Sequence, residues 1–228
     1  MAIKKVRLPT GEEVTIDEWL HWPQYSTIEF GVAVNVSLRA FTYVQGQNVP
    51  LQGVVPGGRR TATETDTNQV SRTRMNHDEA YLAYAITYDH FALDDATIPS
   101  GPPTLVSPAP VLSSQNLRRL QRDLVIELRV GAGIQKPQFR APFSWIGQSV
   151  GAPAYTSGDA VAAGIAFTYG TGGYMRAENQ RKWQLPIFIQ SDRVMFVDTK
   201  SQNGAITDLD QPVRLRWWLD GLKRRPVA

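Results

Sequence analysis

The chain has 228 residues with 24 basic and 21 acidic side chains, a formal charge of +3 and no cysteine. That mixed charge argues against a protein that coats nucleic acid, whose basic excess is much larger. The missing cysteines remove disulfide frameworks, thiol nucleophiles and thiolate metal sites together.

The opening, MAIKKVRLPTGEEV, is basic but has no apolar core region, so no secretory leader is expected. No run approaches the roughly 18 apolar residues of a membrane helix, so no membrane span is expected. Thr15 and Glu18 in TIDEW fit a capping box and predict a short helix limited by Pro23, with Trp19 and Trp22 on one face. From 28 to 38 the even positions are Ile28, Phe30, Val32, Val34, Val36 and Leu38, a period of two that predicts a strand. The apolar phase then passes to Phe41 and Tyr43, which predicts a bulge or corner near Arg39 and Ala40. The stretch 55–76 is almost without apolar residues and reads as a long loop, as does proline-rich 94–111. Between them, DEAYLAYAITYDHF fits a helix or a strand, and its Tyr, Ile and Thr content selects strand. A second helix is expected after Ser113 or Ser114, with Leu117, Leu120 and Leu124 along one side. Alternation then predicts strands in LVIELRV, AVAAGIAFTYG, QLPIFIQ, RVMFVD and finally PVRLRWWL. In this last strand Val213, Leu215, Trp217 and Leu219 share one face and Arg214, Arg216 and Trp218 the other, ahead of an expected Asp220-Gly221 turn and a basic tail.

About ten short strands, two short helices and long loops predict an all-β fold, a jelly roll or β-sandwich. The expected organisation is an N-terminal arm, 1–27, followed by one β domain, 28–228.

Enzyme-like strings are few. GQSVG, 147–151, matches a nucleophile elbow around Ser149, but Pro153 follows too soon for the required helix, and His21, His77 and His90 all precede the serine. His77, Asp78, Glu79, His90, Asp94 and Asp95 could supply metal ligands, but a strand over 81–88 would hold the two groups about 25 Å apart. GAG at 131–133 and GTGG at 170–173 read as strand-connecting turns, and the sequon at Asn35 falls within a predicted strand. No catalytic residue, cofactor or metal is expected.

The closing strand PVRLRWWLDGLKRRPV after LPIFIQSDRVMFVDTK resembles the last strands of jelly-roll virion proteins of bacteriophages. YSTIEFGVAVNVSLRAFTYVQGQNVP is similar to the extended Asn/Gln/Val-rich segments of capsid and cement proteins. The resemblance covers roughly the last 110 residues. It implies a non-enzymatic capsid-type subunit, built into a virion in a host cytoplasm and partnered by itself and other virion proteins. Contact residues expected for such assembly are Trp218, Arg214, Arg216, Arg59, Arg60, Trp19 and Trp22. Trp218 should face outward, and nucleic acid is a lesser alternative partner. A carbohydrate-binding sandwich is the rival, with Trp145, Tyr155, Tyr174 or Trp218 as stacking platforms.

Overall fold

A computed structural model describes residues 5–7, 13–15, 19–31, 37–49, 59–72, 74–75, 79–92, 109–131, 137–147, 153–156, 168–171, 181–202, 209 and 213–224. They form β1 (Lys5–Arg7), β2 (Glu13–Thr15), β3 (Trp19–His21), β4 (Gln24–Phe30), β5 (Ser37–Ala40), β6 (Asn48–Val49), β7 (Arg60–Thr61) and β8 (Tyr81–Ala92). After these come helix α1 (Ala109–Asp123) and the strands β9 (Leu124–Val130), β10 (Phe139–Pro142), β11 (Pro153–Thr156), β12 (Thr168–Thr171), β13 (Arg181–Ile189), β14 (Met195–Ser201) and β15 (Val213–Arg224).

Two larger sheets carry the fold in a curled, sandwich-like arrangement. One has the order β10-β9-β14-β5; the other has β13-β8-β15, with β4 and then β3 pairing successive parts of β15. Leaving aside the short β3, these sheets contain eight strands: β4, β5, β8, β9, β10, β13, β14 and β15. In chain order the first pairs with the eighth, the second with the seventh, the third with the sixth and the fourth with the fifth, always antiparallel. The two sheets share one core. Ile28 and Phe30 of β4, Tyr81, Ile86 and Tyr88 of β8, and Leu215, Trp217 and Leu219 of β15 meet Ile126 and Leu128 of β9 and Met195 and Val197 of β14. At its centre Tyr88, Phe143 and Trp217 make three ring contacts, with centroids 4.6, 5.4 and 5.8 Å apart. Such tilted aromatic pairs add to the energy of burying so much apolar surface.

The ambiguous segment 78–91 contributes a strand, as its composition favours, and that strand runs from Tyr81 to Ala92. β15 alternates between buried and half-buried residues from Val213 to Gly221, so Trp217 is core. Leu117, Leu120 and Leu124 are all buried, and Gln121 Nε2 donates to the Tyr88 hydroxyl at 2.8 Å, which docks α1 on the core. The predicted corner after β5 falls at Phe41, which takes φ +65° and is buried, its N–H donating to Ser26 Oγ at 2.8 Å.

Three expectations are corrected. No helix opens at Thr15: that residue ends β2 and Trp19–His21 is a strand on β15, so α1 is the only α-helix among the described residues. Two turns of isolated helix are marginal in water, whereas the strand buries Trp19 among Ala80, Leu82 and Phe188. α1 begins at Ala109, so the end of the 94–111 stretch is helical rather than loop. Asp220-Gly221 is not a turn: β15 continues to Arg224, and its register against β8 shifts there as a bulge. Two further sequence features, Val32 to Val36 and Val161 to Phe167, lie outside the described residues.

Candidate tryptophan and arginine site

Four of the seven expected contact residues, Arg60, Arg214, Arg216 and Trp218, come together on the outer face of the five-stranded sheet. Cross-strand register is the cause. Across β15 and β4, Arg214 lies opposite Glu29 and Trp218 opposite Tyr25, and across β15 and β8, Arg216 lies opposite Asp89. Directly opposed side chains on one sheet face are close enough to interact. Arg214 Nη2 donates to Glu29 Oε2 at 3.1 Å, and Trp218 Nε1 donates to Asp89 Oδ2 at 2.5 Å. The Trp218 ring packs on Tyr25 with centroids 4.8 Å apart, and the Arg216 guanidinium lies 5.8 Å from each of these rings.

The described part of the 55–76 stretch runs along the free edge of β4, beside this face. Thr67 bridges to Ser26 of β4, and Thr27 donates through both its N–H and its hydroxyl to the Asp66 carbonyl, each at 2.9 Å. Asn68 Oδ1 accepts from Tyr25 N–H at 2.9 Å, and Gln69 Nε2 donates to Gln24 Oε1 at 2.6 Å. Arg60 forks onto Asp66 at 2.7 and 2.6 Å. Short polar side chains that bond the backbone hold residues 63–69 on the sheet, while Ala62 and Met75 on either side are buried among apolar residues.

The electrostatics follow from burial. Desolvation pushes the Asp66 carboxyl up, but hydrogen bonds from Arg60 and from the Thr63 N–H and hydroxyl outweigh it and hold it below the usual carboxylate range. The same contact raises Arg60. Burial lowers Arg216 against the pull of Asp89 and Asp66. It also drives the Tyr43 hydroxyl, which donates to the Thr27 carbonyl, up to about 12. These are the marks of an ion layer whose charges are engaged by one another.

Trp218 is on the outer face as the alternation predicts, yet it is half-buried and bonded rather than open. The remaining contact candidates lie elsewhere. Arg59 is exposed and donates to the Asn48 carbonyl, Trp19 is buried in its own satellite cluster, and Trp22 is exposed beneath the Lys223 ammonium, 5.6 Å from its ring. Of the stacking platforms, Trp145 is exposed, whereas the side chains of Tyr155 and Tyr174 are outside the described residues, as is Ser149. Among the residues weighed as metal ligands only the side chain of Glu79 is described, and it pairs with Lys223 Nζ at 2.6 Å. No group of three His, Cys, Asp or Glu suited to a metal occurs among the described residues. No described helix is long and apolar enough to cross a membrane.

Sequence reasoning missed Tyr25, Glu29, Asp66 and Asp89. The alternation places Glu29 on the outer face, but nothing local says which strand lies opposite. Family models, curated proteins and solved structures were each compared with the chain, and none matches it.

Proposed function

We propose that the protein is a structural subunit of a bacteriophage virion, a capsid-type jelly roll that acts by assembling with copies of itself and with other virion proteins rather than by catalysis. The strand order carries this reading. Eight strands nested as first with eighth, second with seventh, third with sixth and fourth with fifth are what results when a long antiparallel hairpin is rolled into two sheets, and the eight-stranded double-sheet jelly roll recurs in viral capsid and lectin domains. The closing strands β13 to β15 are also the part of the chain that resembles phage virion proteins. Function does not follow from a fold alone, so a second support matters: large apolar side chains stand in water away from the ion layer. Leu185 on β13 is 78% exposed and Trp145 after β10 is 62% exposed. Aromatic and aliphatic anchors of this kind are what a subunit contact desolvates.

Light scattering on size-fractionated protein, followed by electron microscopy, tests the reading. Oligomers or closed particles are expected, and Leu185→Asp with Trp145→Asp should shift the population toward monomer without lowering the melting temperature. A stable monomer at high concentration that forms no particles overturns it.

A further inference from the structure

We propose that the outer face of the four-stranded sheet binds the phosphate backbone of double-stranded nucleic acid without reading its sequence. The register builds a grid there. Arg140 of β10, Glu127 of β9, Asp198 of β14 and Arg39 of β5 stand directly opposite one another in a single row across all four strands. Two residues along β14 stands Lys200, and two along β9 in the other direction stands Arg129, both on the same face. Two carboxylates therefore sit at the centre with four cations around them. Glu127 Oε2 accepts from Arg129 Nη2 at 2.5 Å and from Lys200 Nζ at 2.9 Å, and Arg140 Nε lies 3.4 Å from Oε1. Asp198 has Lys200 Nζ at 3.7 Å, Arg39 Nε at 3.8 Å and the Ser37 hydroxyl at 2.5 Å.

Depth decides what a partner meets. The Glu127 and Asp198 side chains are 5% and 3% exposed, while Arg39 and Arg140 at the two edges are 57% and 58% exposed. The anions are submerged and hold the cations in place, and the excess of two positive charges faces water. The overall charge of +3 conceals this local excess. Edge to edge the row spans about 14 Å, three inter-strand steps. A duplex presents one charge per about 1.7 Å of its axis, so a plate of this width meets several phosphates in any register. The one ring in the grid, Phe196, is buried beneath the Arg39 guanidinium, 4.7 Å away. With no open ring on this face among the described residues, the plate lacks the stacking platform that single-strand binding uses, and this favours a duplex. The proposal does not depend on assembly, since a monomer would carry the same plate.

Fluorescence anisotropy with a labelled 20-base-pair duplex of mixed sequence tests it. Binding should weaken with salt at a log-log slope of about −3, and Arg39→Gln with Arg140→Gln should reduce that slope by about 2 and the low-salt affinity at least roughly tenfold. Lys182→Gln, on the other sheet, should change neither. On the unsubstituted protein, duplex should protect Lys200 from acetylation more than Lys182, a readout that holds even where the double variant folds poorly. Four results overturn the proposal: no binding at low salt, preference for a single strand of thymidines, an unchanged slope in the double variant, or equal acetylation of the two lysines. Displacement of the duplex by polyglutamate of equal charge also overturns it, in favour of an acidic polypeptide.

Discussion

Gly221→Ala should be among the most damaging single substitutions in this protein, for a reason that separates a bulge from a turn. A Cβ built on Gly221 would lie 2.4 Å from the Leu82 carbonyl oxygen, 2.6 Å from Tyr81 Cζ and 2.7 Å from the Tyr81 hydroxyl. None of the three can yield easily: Leu82 is in β8, and the Tyr81 ring is fully buried with its hydroxyl donating to the Leu219 carbonyl at 2.6 Å. Gly221 is not in the left-handed region, the only positive-φ glycines among the described residues being Gly46 and Gly131, so backbone preference adds nothing and the cost is steric. Forcing a methyl group into packed structure costs about 1–3 kcal/mol. Dislodging the Tyr81 hydroxyl from its acceptor adds about 1–3 kcal/mol. The sum, roughly 2–6 kcal/mol, should lower the urea midpoint by about 0.7–3 M at the slope of about 2–3 kcal/mol per M suited to this size. Tryptophan fluorescence during urea unfolding measures it. Gly221→Asn sharpens the test, because a left-handed turn accepts asparagine better than alanine, whereas a crowded bulge accepts it worse. An alanine variant within about 1 kcal/mol of the parent, or an asparagine variant more stable than the alanine one, refutes the steric account.

Trp218→Phe keeps a ring against Tyr25 and removes the donor to buried Asp89, so equilibrium unfolding should show a loss of about 1.5–3 kcal/mol; a neutral result would mean that this hydrogen bond carries no stability. Trp218→Ala should be worse, which makes it a poor probe of assembly alone. Asp66 and Glu127 are held below their ordinary values of 3.8 and 4.5. The stability each lends is therefore present above those values and is lost as pH falls through the lower folded-state values. Urea melts from pH 7 to pH 2 should show an acid arm, flattened in its Asp66 portion by Arg60→Gln; an arm of equal steepness in that variant contradicts the pairing. Burial raises the Tyr43, Tyr84 and Tyr88 hydroxyls to about 12. Their contribution is present in full below pH 10 and is lost as pH rises from 10 toward 12. Absorbance at 295 nm should show these tyrosines still protonated at pH 11 in the folded protein, and all eight ionising near 10 in strong denaturant.

Much of the fold was legible because strand alternation is local. Val213, Leu215, Trp217 and Leu219 sort to one face by counting in twos, and the Tyr, Ile and Thr content of 78–91 favours the strand that forms as β8 where periodicity alone leaves helix and strand open. Leu117 and Leu120 of α1 were legible in the same way, at a spacing of three, whereas Leu124, expected on the same side of the helix, opens β9. The capping-box reading at Thr15 failed because a cap is worth about 1 kcal/mol, too little to outweigh pairing and burial offered by a strand 200 residues away. Asp220-Gly221 looked like a turn because the dipeptide is common in turns. Here glycine is required by the close approach of Tyr81, which no local pattern records.

The site divides along the same line. Sequence alone determined which residues are arginine and tryptophan, and which of them share a face of β15. It could not determine that Glu29 and Asp89 flank them, that residues 66–68 pair with the edge of β4 beside them, or that Arg140, Glu127, Asp198 and Arg39 stand in one row. Side-chain facing repeats every two residues and is written in the chain, whereas partner and register are set by which strands bury their apolar faces together. Only the tertiary structure brings those distant choices into contact and turns a scatter of charges into one half-buried ion layer and one open basic plate.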